Sequence, residues 1–515
     1  MIKLPKMLKG ILIVALMLVL AATFSLGGCK QAIEEKVKEI EEVAEVEEVA
    51  EEVAEEEAAE EELEIPEGVK VAGDPEVVPG EEEIISAIPA SLKEMANGKT
   101  IRIMFQGGGD SAPPLDLKDL MKEAIGLEIE IDIIPPENLH AKQLTFFTSE
   151  AYEYDLIEIY PTWIGEYAES KYIDNLDPLY DKYVDEIDTS DFIEAAQVGF
   201  DKYQGSWYAI PYDGDVNIFY YRKDLFEDET NKSDFEAKYG YELAPPTTWN
   251  QARDMAEFFT GRQEGLYGFG TLALKTWWAV DYWANVYRNL AVAKGLNIEN
   301  GLVNDSGKIE LDRDTFIEAN DFYMDLMENF SPEGILSWGY PESKEGLGNG
   351  TVAMSLQWAT SVFRDPRQMK YWNEVNAVPM PGFEKDDGSV NNVTSYAVGK
   401  AMAIPASAEN KEIAFLYAQW LASTVMQIYE TNTGSGVDPN RTSAWKDQRV
   451  IDVWGPLVEP ALESLEIGYG DIKVPQAAKL YETILNQLHS SWSGEITSEE
   501  AYDATIEEWE DILAE

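Results

Sequence analysis

The stretch Thr100-Ile101-Arg102-Ile103-Met104-Phe105-Gln106-Gly107-Gly108-Gly109 decides the fold class of this chain. Its apolar first half predicts a strand over residues 100–105, and the glycines predict the turn that ends it. The same alternation of strand and helix patterns then continues with a helix over 115–125, a strand over 127–134, a helix over 138–149, a strand over 156–160 and a helix over 163–169. Such alternation is typical of βαβ units with a mostly parallel sheet, so we predict an α/β fold.

The loops that follow the carboxyl ends of such strands are where ligands bind. Residues 106–110 and 160–163 occupy two of these positions, and we expect them on a binding edge of the sheet. The glycine run lacks the Gly-Lys-Ser/Thr ending of a phosphate-binding loop. The expected ligand is therefore not a nucleotide phosphate held by this turn.

Further along the chain, two short strands at 207–210 and 217–221 flank the loop Pro211-Tyr212-Asp213-Gly214-Asp215. Thr248 is a natural cap for a helix that begins at Trp249. The remaining predicted elements are helices near 276–293, 314–329 and 409–423, strands at 348–356 and 396–404, and a mainly helical C-terminal part. A folded part of roughly 420 residues suggests two domains.

The first 29 residues have the features of a lipoprotein signal peptide. Three lysines precede an apolar run over 11–20, and Leu26-Gly27-Gly28 precedes Cys29, the single cysteine of the chain. This order is typical of a secretory signal, and the last four residues resemble a lipobox, whose cysteine receives the lipid. We expect an extracytoplasmic protein anchored to a bacterial membrane, at the cell surface or in the periplasm, through Cys29. The alternative is an ordinary signal peptide with an incidental cysteine.

Residues 30–97 are assigned to an acidic spacer. Residues 30–67 contain 18 acidic residues and three lysines and consist mostly of Glu, Ala and Val. Dense like charge without aromatic residues favours a solvated, disordered segment. Apolar residues that recur every three positions leave an amphipathic helix open as the alternative.

Composition excludes several classes of function. The net charge of −58 repels nucleic acid and anionic lipid headgroups, because both are bound through Lys and Arg. Two histidines and one cysteine leave no combination for a zinc site or for a thiol or Ser-His nucleophile. We therefore expect no metal, no cofactor and no nucleic-acid partner. In contrast, 14 Trp, 26 Tyr and 18 Phe provide many aromatic surfaces.

Several segments, taken in order, resemble the extracellular solute-binding proteins of carbohydrate ABC transporters, the family that includes maltose-binding protein. They are Tyr154-Asp155-Leu156-Ile157, Gly205-Ser206-Trp207-Tyr208-Ala209-Ile210-Pro211, Tyr220-Tyr221-Arg222-Lys223-Asp224-Leu225-Phe226, Pro246-Thr247-Thr248-Trp249, Gly350-Thr351-Val352-Ala353-Met354 and the run from Val398-Gly399 to Trp420-Leu421-Ala422-Ser423. No single motif is specific, but the ordered set spans nearly all of residues 98–515. The loop Tyr212-Asp213-Gly214-Asp215 departs from the general family pattern, so the ligand of better-known members cannot be transferred.

The resemblance implies a class II type periplasmic-binding-protein fold with two α/β lobes, each a mostly parallel sheet flanked by helices, joined by a hinge. We assign residues 98–213 and 392–432 to lobe 1, and residues 214–391 and 433–515 to lobe 2. The implied function is the capture of a carbohydrate, and the aromatic content favours a di- or oligosaccharide over a single sugar, with a polyol or a plant-wall oligomer left open. The implied partners are that carbohydrate and a membrane permease, and we expect a monomer.

A carbohydrate site needs aromatic faces for C–H surfaces and carboxylate, amide and arginine groups for hydroxyls. Asp213 and Asp215 flank a glycine at the predicted hinge, although a simple Asp-Gly turn is the alternative. Successive helical residues point about 100° apart, so of Trp277 and Trp278 one is expected in the core, and we favour Trp278 in the cleft. Arg441 is the candidate donor from the last crossing between lobes. The candidate binding residues are Gln106, Trp163, Tyr212, Asp213, Asp215, Trp278, Trp338, Tyr340, Trp358 and Arg441.

A lipid-anchored glycoside hydrolase is the alternative function. Such an enzyme also combines aromatic residues with a pair of carboxylates. Abundant acidic residues make such pairs frequent by chance in this chain. We therefore predict a binding protein without enzymatic activity, and a cleavage assay on oligosaccharides distinguishes the two functions.

Overall fold

The structure is a computed structural model, and it describes residues 65–149, 152–193, 202–361, 365, 367–395 and 399–514. The expected signal peptide, Cys29 and the spacer up to residue 64 lie outside the described residues. Within the described residues, no helix combines the length and the apolar character needed to cross a membrane.

The described strands are β1 (Thr100–Gln106), β2 (Glu128–Ile134), β3 (Leu156–Ile159), β4 (Lys202–Tyr203), β5 (Ser206–Trp207), β6 (Ile210–Asp213), β7 (Asn217–Arg222), β8 (Tyr267–Gly270), β9 (Val352–Trp358), β10 (Val375–Val378), β11 (Phe383–Glu384), β12 (Val390–Asn391), β13 (Thr394–Ser395), β14 (Lys400–Ala403) and β15 (Gly468–Tyr469).

The described α-helices are α1 (Glu81–Ser86), α2 (Ala90–Met95), α3 (Ala112–Ile125), α4 (Pro136–Thr148), α5 (Ile164–Glu169), α6 (Asp177–Lys182), α7 (Lys223–Glu227), α8 (Glu229–Tyr239), α9 (Trp249–Phe259), α10 (Trp278–Ala293), α11 (Arg313–Phe330), α12 (Tyr340–Gly348), α13 (Lys411–Leu421), α14 (Thr424–Asn432), α15 (Thr442–Trp445), α16 (Gln448–Glu466), α17 (Ala477–Trp492) and α18 (Ser498–Ala514). Short 3₁₀ turns occupy Gly109–Ser111, Pro161–Trp163 and Ile335–Ser337.

Lobe 1 contains a five-stranded sheet in the order β2-β1-β3-β14-β6. Strands β1, β2 and β3 are parallel, and β14 runs antiparallel to both of its neighbours. All four residues of β3 are buried, as expected for a central strand covered by helices on both faces. The predicted βαβ pattern over residues 100–160 is confirmed.

Lobe 2 contains a four-stranded sheet in the order β10-β7-β9-β8. Only the β8–β9 ladder is parallel, because β7 runs antiparallel to β9 and to β10. In each lobe the reversed strand is the one that the chain enters after crossing from the other lobe, namely β7 and β14. In both sheets all strands but one run in the same direction. In lobe 2, however, only one of the three ladders is parallel, so the expectation of a mostly parallel sheet does not hold for its strand pairs.

Local sequence explains several helix ends. The Thr248 side chain accepts a hydrogen bond from the Gln251 N–H and the Gln251 side chain caps the Thr248 N–H, which forms a capping box at the start of α9. Helix α3 ends at Gly126, whose φ of 73° lies in the left-handed region that glycine adopts without strain. The predicted cap at Thr248 is confirmed.

Residues 69–96 differ from the expected spacer, and we call them the N-terminal strap. Val71 and Val77 are buried against Trp454 and the lobe 2 strand β7, and the Gly73 N–H donates to the Asn432 carbonyl over 2.6 Å. The strap then crosses to lobe 1, where α1 and α2 bury Ile84, Ile88 and Leu92 against α13. The assignment of residues 30–97 to a spacer therefore needs correction from residue 69, because the apolar side chains here find partners in both lobes. The lobe boundaries at 213, 391 and 432 stay predictions.

Candidate functional site

A buried lysine stands at the point where the chain returns to lobe 1. Lys400 is the first residue of β14, and its Nζ lies 2.7 Å from Asp213, 3.2 Å from Asp110 and 3.8 Å from Asp215. Lys400 is 8 % exposed, so its ion pairs are largely out of contact with water. A buried ammonium needs such partners, because an unpaired buried charge is strongly destabilising.

The crossing segments meet at the same point. The Asp213 carboxylate accepts a hydrogen bond from the Asp438 N–H over 2.9 Å, and the Gly214 N–H donates to the Asp438 carbonyl over 2.8 Å. A Cβ on Gly214 would lie 2.9 Å from the Pro439 carbonyl, so only glycine permits this approach. We call Lys400, Asp110, Asp213, Asp215 and Asp438 the hinge charge cluster.

Two carboxyls of the cluster, Asp215 and Asp438, have pKa values shifted in the direction that keeps them protonated. Burial, together with Asp213, raises the pKa of Asp215 well above its usual range and raises the pKa of Asp438 to about 8. Burial opposes the charge on Lys400, but the surrounding carboxylates outweigh it and raise the pKa of the lysine. At neutral pH the cluster therefore offers both hydrogen-bond donors and acceptors, as hydroxyl groups require.

The amide of Gln106 extends this network toward the loop after β3. Its Nε2 donates to Asp110, and its Oε1 accepts from the Tyr160 hydroxyl. The Gln106 N–H donates to Glu158 over 2.9 Å. These bonds join the carboxyl ends of β1 and β3, which were expected to form the binding edge.

An aromatic group from lobe 2 lies beside the cluster. The Trp358 ring has edge contacts with Trp278 at 5.7 Å and with Tyr282 at 5.5 Å, and it lies 5.3 Å from Tyr340. Burial raises the pKa of Tyr282 and Tyr340, and Asp215 is a smaller cause in the same direction.

A cavity of about 640 Å³ lies between the two lobes next to this group, and we call it the aromatic cavity. The Tyr160 ring from lobe 1 meets the Trp277 ring from lobe 2 at 5.0 Å, in an edge contact. His140 stacks on Trp163 at 4.7 Å and bonds to Glu166 over 2.8 Å. The rings that line the cavity are His140, Tyr160, Trp163, Trp277, Trp278 and Tyr481.

Seven of the ten predicted binding residues lie in these two regions or between them. Gln106, Asp213 and Asp215 belong to the hinge charge cluster or contact it, and Trp163 and Trp278 line the aromatic cavity. The remaining two, which pack against Trp278 or its neighbours, are Trp358 and Tyr340. Whether these side chains contact a ligand stays a prediction.

The side chains of the other three predicted residues neither belong to the cluster nor line the cavity, although Tyr212 contacts the backbone of Asp110. Tyr212 is fully buried, and its hydroxyl donates to the Asp110 carbonyl over 2.6 Å. Trp338 packs on α12, where its ring lies so close to Gly346 that a Cβ there would clash at 2.5 Å. Arg441 donates to the carbonyls of Ala422 and Asp188 and stacks on Phe192. Their described contacts support the fold and do not join them to the aromatic cavity.

Sequence reasoning did not select Lys400, Trp277 or Tyr481. Trp277 was expected to be the partner of Trp278 in the core, but both indoles line the aromatic cavity. For Lys400 the available signal was a single basic residue within the strand predicted over 396–404, in a very acidic chain. Among the described residues, no group of three or more His, Cys, Asp or Glu side chains could hold a metal ion.

Comparison with known proteins identifies the family. Residues 103–428 match the bacterial extracellular solute-binding proteins. This chain belongs to that family. The match begins within β1 and ends within α14, so it covers the sheets of both lobes.

Relatives and solved structures agree with this assignment. The chain is 21 % identical over 366 residues to a probable amino-acid ABC transporter periplasmic-binding protein, y4oP, of Sinorhizobium fredii, which covers 70 % of this chain and 77 % of that protein. It is 25 % identical over 268 residues to the mannitol-binding protein of Pseudomonas aeruginosa, covering 51 % and 56 % respectively. The structure of maltose-bound MalE3 of T. maritima aligns with a TM-score of 0.66 and 20 % identity, over 80 % of this chain and 100 % of that one. The two-lobed fold is thereby established.

Proposed function

We propose that this protein is the substrate-binding component of an ABC importer and that it captures a carbohydrate, most suitably a di- or oligosaccharide, between its two lobes. The observation that carries the proposal is the aromatic cavity, which receives rings from both lobes beside a cluster of buried carboxyls. Its volume falls in the range of small-molecule sites. Relatives named for mannitol and maltose support the ligand class.

The two regions serve different parts of such a ligand. Indole and phenol rings stack on the C–H faces of a sugar, while carboxyls and the Gln106 amide bond to hydroxyls. Because the wall is shared by Tyr160 of lobe 1 and Trp277 of lobe 2, the full set of contacts forms only when the lobes are closed. A ligand therefore shifts the equilibrium toward the closed form, which is then presented to the permease.

The test of this function is a thermal-shift screen of the ligand-free chain with maltose, maltotriose, D-mannitol and a set of free amino acids. A ligand that binds only the folded state raises the melting temperature by mass action. We expect carbohydrates to raise it and amino acids to leave it unchanged, followed by stoichiometric binding in calorimetry. A shift with amino acids alone would assign the protein to the ligand class that the name of y4oP indicates.

The same samples address the hydrolase alternative. After incubation with maltotriose, chromatography is expected to recover the intact trisaccharide, because binding breaks no bond. Release of shorter sugars in proportion to protein concentration would favour the glycoside hydrolase instead.

The proposal also includes lipid attachment at Cys29, a position outside the cytoplasm and a monomeric state. The lipobox-like sequence Leu26-Gly27-Gly28-Cys29 supports the anchor. Labelled fatty acid supplied to a bacterial host is expected to enter the protein, and Cys29→Ser is expected to abolish the label and release the protein from membranes. Light scattering of the released protein measures its mass in solution, and the mass of a single chain is expected.

A further inference from the structure

Two carboxyls meet in the interior of lobe 2, directly behind the aromatic cavity. Asp281 lies in the first turn of α10 and is fully buried, and Asp471 in the segment before α17 is 2 % exposed. The two side chains share one hydrogen-bond donor. The Tyr481 hydroxyl lies 3.2 Å from Asp281 Oδ1 and 3.1 Å from Asp471 Oδ1.

Two cations lie near the pair in the chain, and the described hydrogen bonds of both go to other groups. Arg288, on the same helix as Asp281, uses its guanidinium to donate to the Asn300 carbonyl, the Ser395 hydroxyl and the Gly470 carbonyl. Lys473, two residues after Asp471, directs its Nζ to the Lys202 carbonyl and lies 3.9 Å from Asp305. The titratable groups that face the pair are therefore Arg288 and Tyr481.

The Tyr481 hydroxyl has one proton and faces two carboxyl groups, and two ionised carboxylates have only acceptors. A proton on one of the two carboxyls supplies the missing donor. Asp281 Oδ2 is buried and finds no nitrogen or hydroxyl donor among the described residues, and a proton shared with Asp471 satisfies it. Burial, followed by the charge of Asp471, raises the pKa of Asp281 well above its ordinary value, in agreement with this geometry.

The pair connects two walls of the aromatic cavity. Helix α10 begins beside Trp277 and Trp278, and α17 carries Tyr481, whose ring lies 5.9 Å from Trp277. The Tyr481 hydroxyl on α17 bonds to Asp281 on α10, and Asp471 lies in the segment that leads into α17. Loss of a proton from the pair would place two repelling charges beside this junction.

We propose that Asp281 and Asp471 share a single proton and thereby act as positioning residues for Trp277 and Tyr481, so that ligand affinity falls when the proton is lost. The affinity part of this inference rests on the proposed function. The positional part concerns the ligand-free protein and can be measured without any ligand.

The experiment measures the dissociation constants of maltose and D-mannitol for the full chain by calorimetry between pH 5 and pH 10. The wild type is expected to lose affinity at least tenfold toward alkaline pH. Asp281→Asn is expected to retain affinity and to flatten the profile, because its amide donates permanently to Asp471. Asp281→Ala is expected to bind weakly at every pH.

The matched control is Asp254→Asn in lobe 2. Asp254 also accepts a hydrogen bond from a tyrosine, Tyr241, over 3.0 Å, but it lies on α9 and does not line the cavity. Its pH profile is expected to follow that of the wild type. An affinity of the wild type that does not change with pH, or a profile of Asp281→Asn with the wild-type slope, would overturn the inference.

Tryptophan fluorescence of the ligand-free chain separates this inference from the proposed function. We expect a pH-dependent change of emission that disappears in Asp281→Asn, since Trp277 and Trp278 adjoin the pair. If neither probe binds at any pH while this change is present, the ligand class is wrong and the positioning role stands. Identical fluorescence profiles in wild type and variant would contradict the positioning role.

Discussion

The hinge charge cluster and the aromatic cavity are neighbours, but they are organised by different forces. In the cluster, one ammonium lies within 3.8 Å of three aspartate side chains, and each group depends on the others to remain buried. In the cavity, rings from two lobes surround an open space and depend on apolar contact. The difference indicates that the cluster stabilises the junction between the lobes, whereas the cavity determines which ligand binds between them.

The largest expected effect comes from removal of the central cation. Lys400→Met leaves Asp110, Asp213 and Asp215 without their shared partner, and a broken buried ion pair typically costs about 3–5 kcal/mol. The free energy of unfolding, measured in urea, is expected to fall by about that amount. Lys122→Met, which breaks an exposed pair with Glu128, is the control and is expected to change little. Equal effects of the two variants would mean that the cluster is not cooperative.

The second prediction concerns Asp438 and pH. Its folded-state pKa of about 8 exceeds the unfolded value, so the folded form binds its proton more tightly. The resulting stabilisation is fully present below about pH 4 and is lost as the pH rises to 8. Asp438→Asn cannot ionise, and its urea stability is expected to decrease less between pH 5 and pH 8 than that of the wild type. Parallel pH profiles would contradict the assignment.

The third prediction addresses the cavity wall. Trp278→Ala removes a stacking surface, and the dissociation constant of the bound carbohydrate is expected to rise by about 10- to 100-fold, equivalent to ~1–3 kcal/mol. Trp338→Ala is the matched control, because its ring packs on α12 and not in the cavity. Weaker binding in both variants to the same extent would show that calorimetry reports a general loss of structure.

The smallest effect is expected at Arg441, where a substitution should lower the stability of the fold without changing the affinity for ligand. Arg441→Met leaves the carbonyls of Ala422 and Asp188 without their donor, which costs about 1–2 kcal/mol of unfolding free energy. The affinity for carbohydrate is expected to stay unchanged. A large loss of affinity with unaltered stability would restore Arg441 to the binding site as first predicted.

Local patterns predicted much of the fold because they depend on neighbouring residues. The alternation over residues 100–160 and the cap at Thr248 are visible in the sequence and are confirmed in the structure. The direction of β7 was not predictable in this way, since it depends on how the chain crosses between lobes. Long-range topology overrides the local pattern there.

The site was less predictable for the same reason. Asp213 and Asp215 could be selected as neighbours around a glycine, but their partner Lys400 lies 187 residues away from Asp213. In a chain with 97 acidic residues, the sequence contains no signal that tells which carboxylates share one lysine. Which aromatic side chains are buried also depends on long-range packing. Tyr212 lies in the core and Trp277 lines the cavity, and the local sequence does not distinguish the two.

The N-terminal strap has a practical consequence for any shortened form of the protein. A chain that begins at residue 98, where the resemblance to the family starts, would expose the apolar recess that Val71 and Val77 occupy on lobe 2. It would also uncover α13, including Trp420, whose indole N–H donates to the Ile84 carbonyl. A soluble fragment should therefore start ahead of residue 69, so that the strap still covers the apolar recess on lobe 2 and the surface of α13.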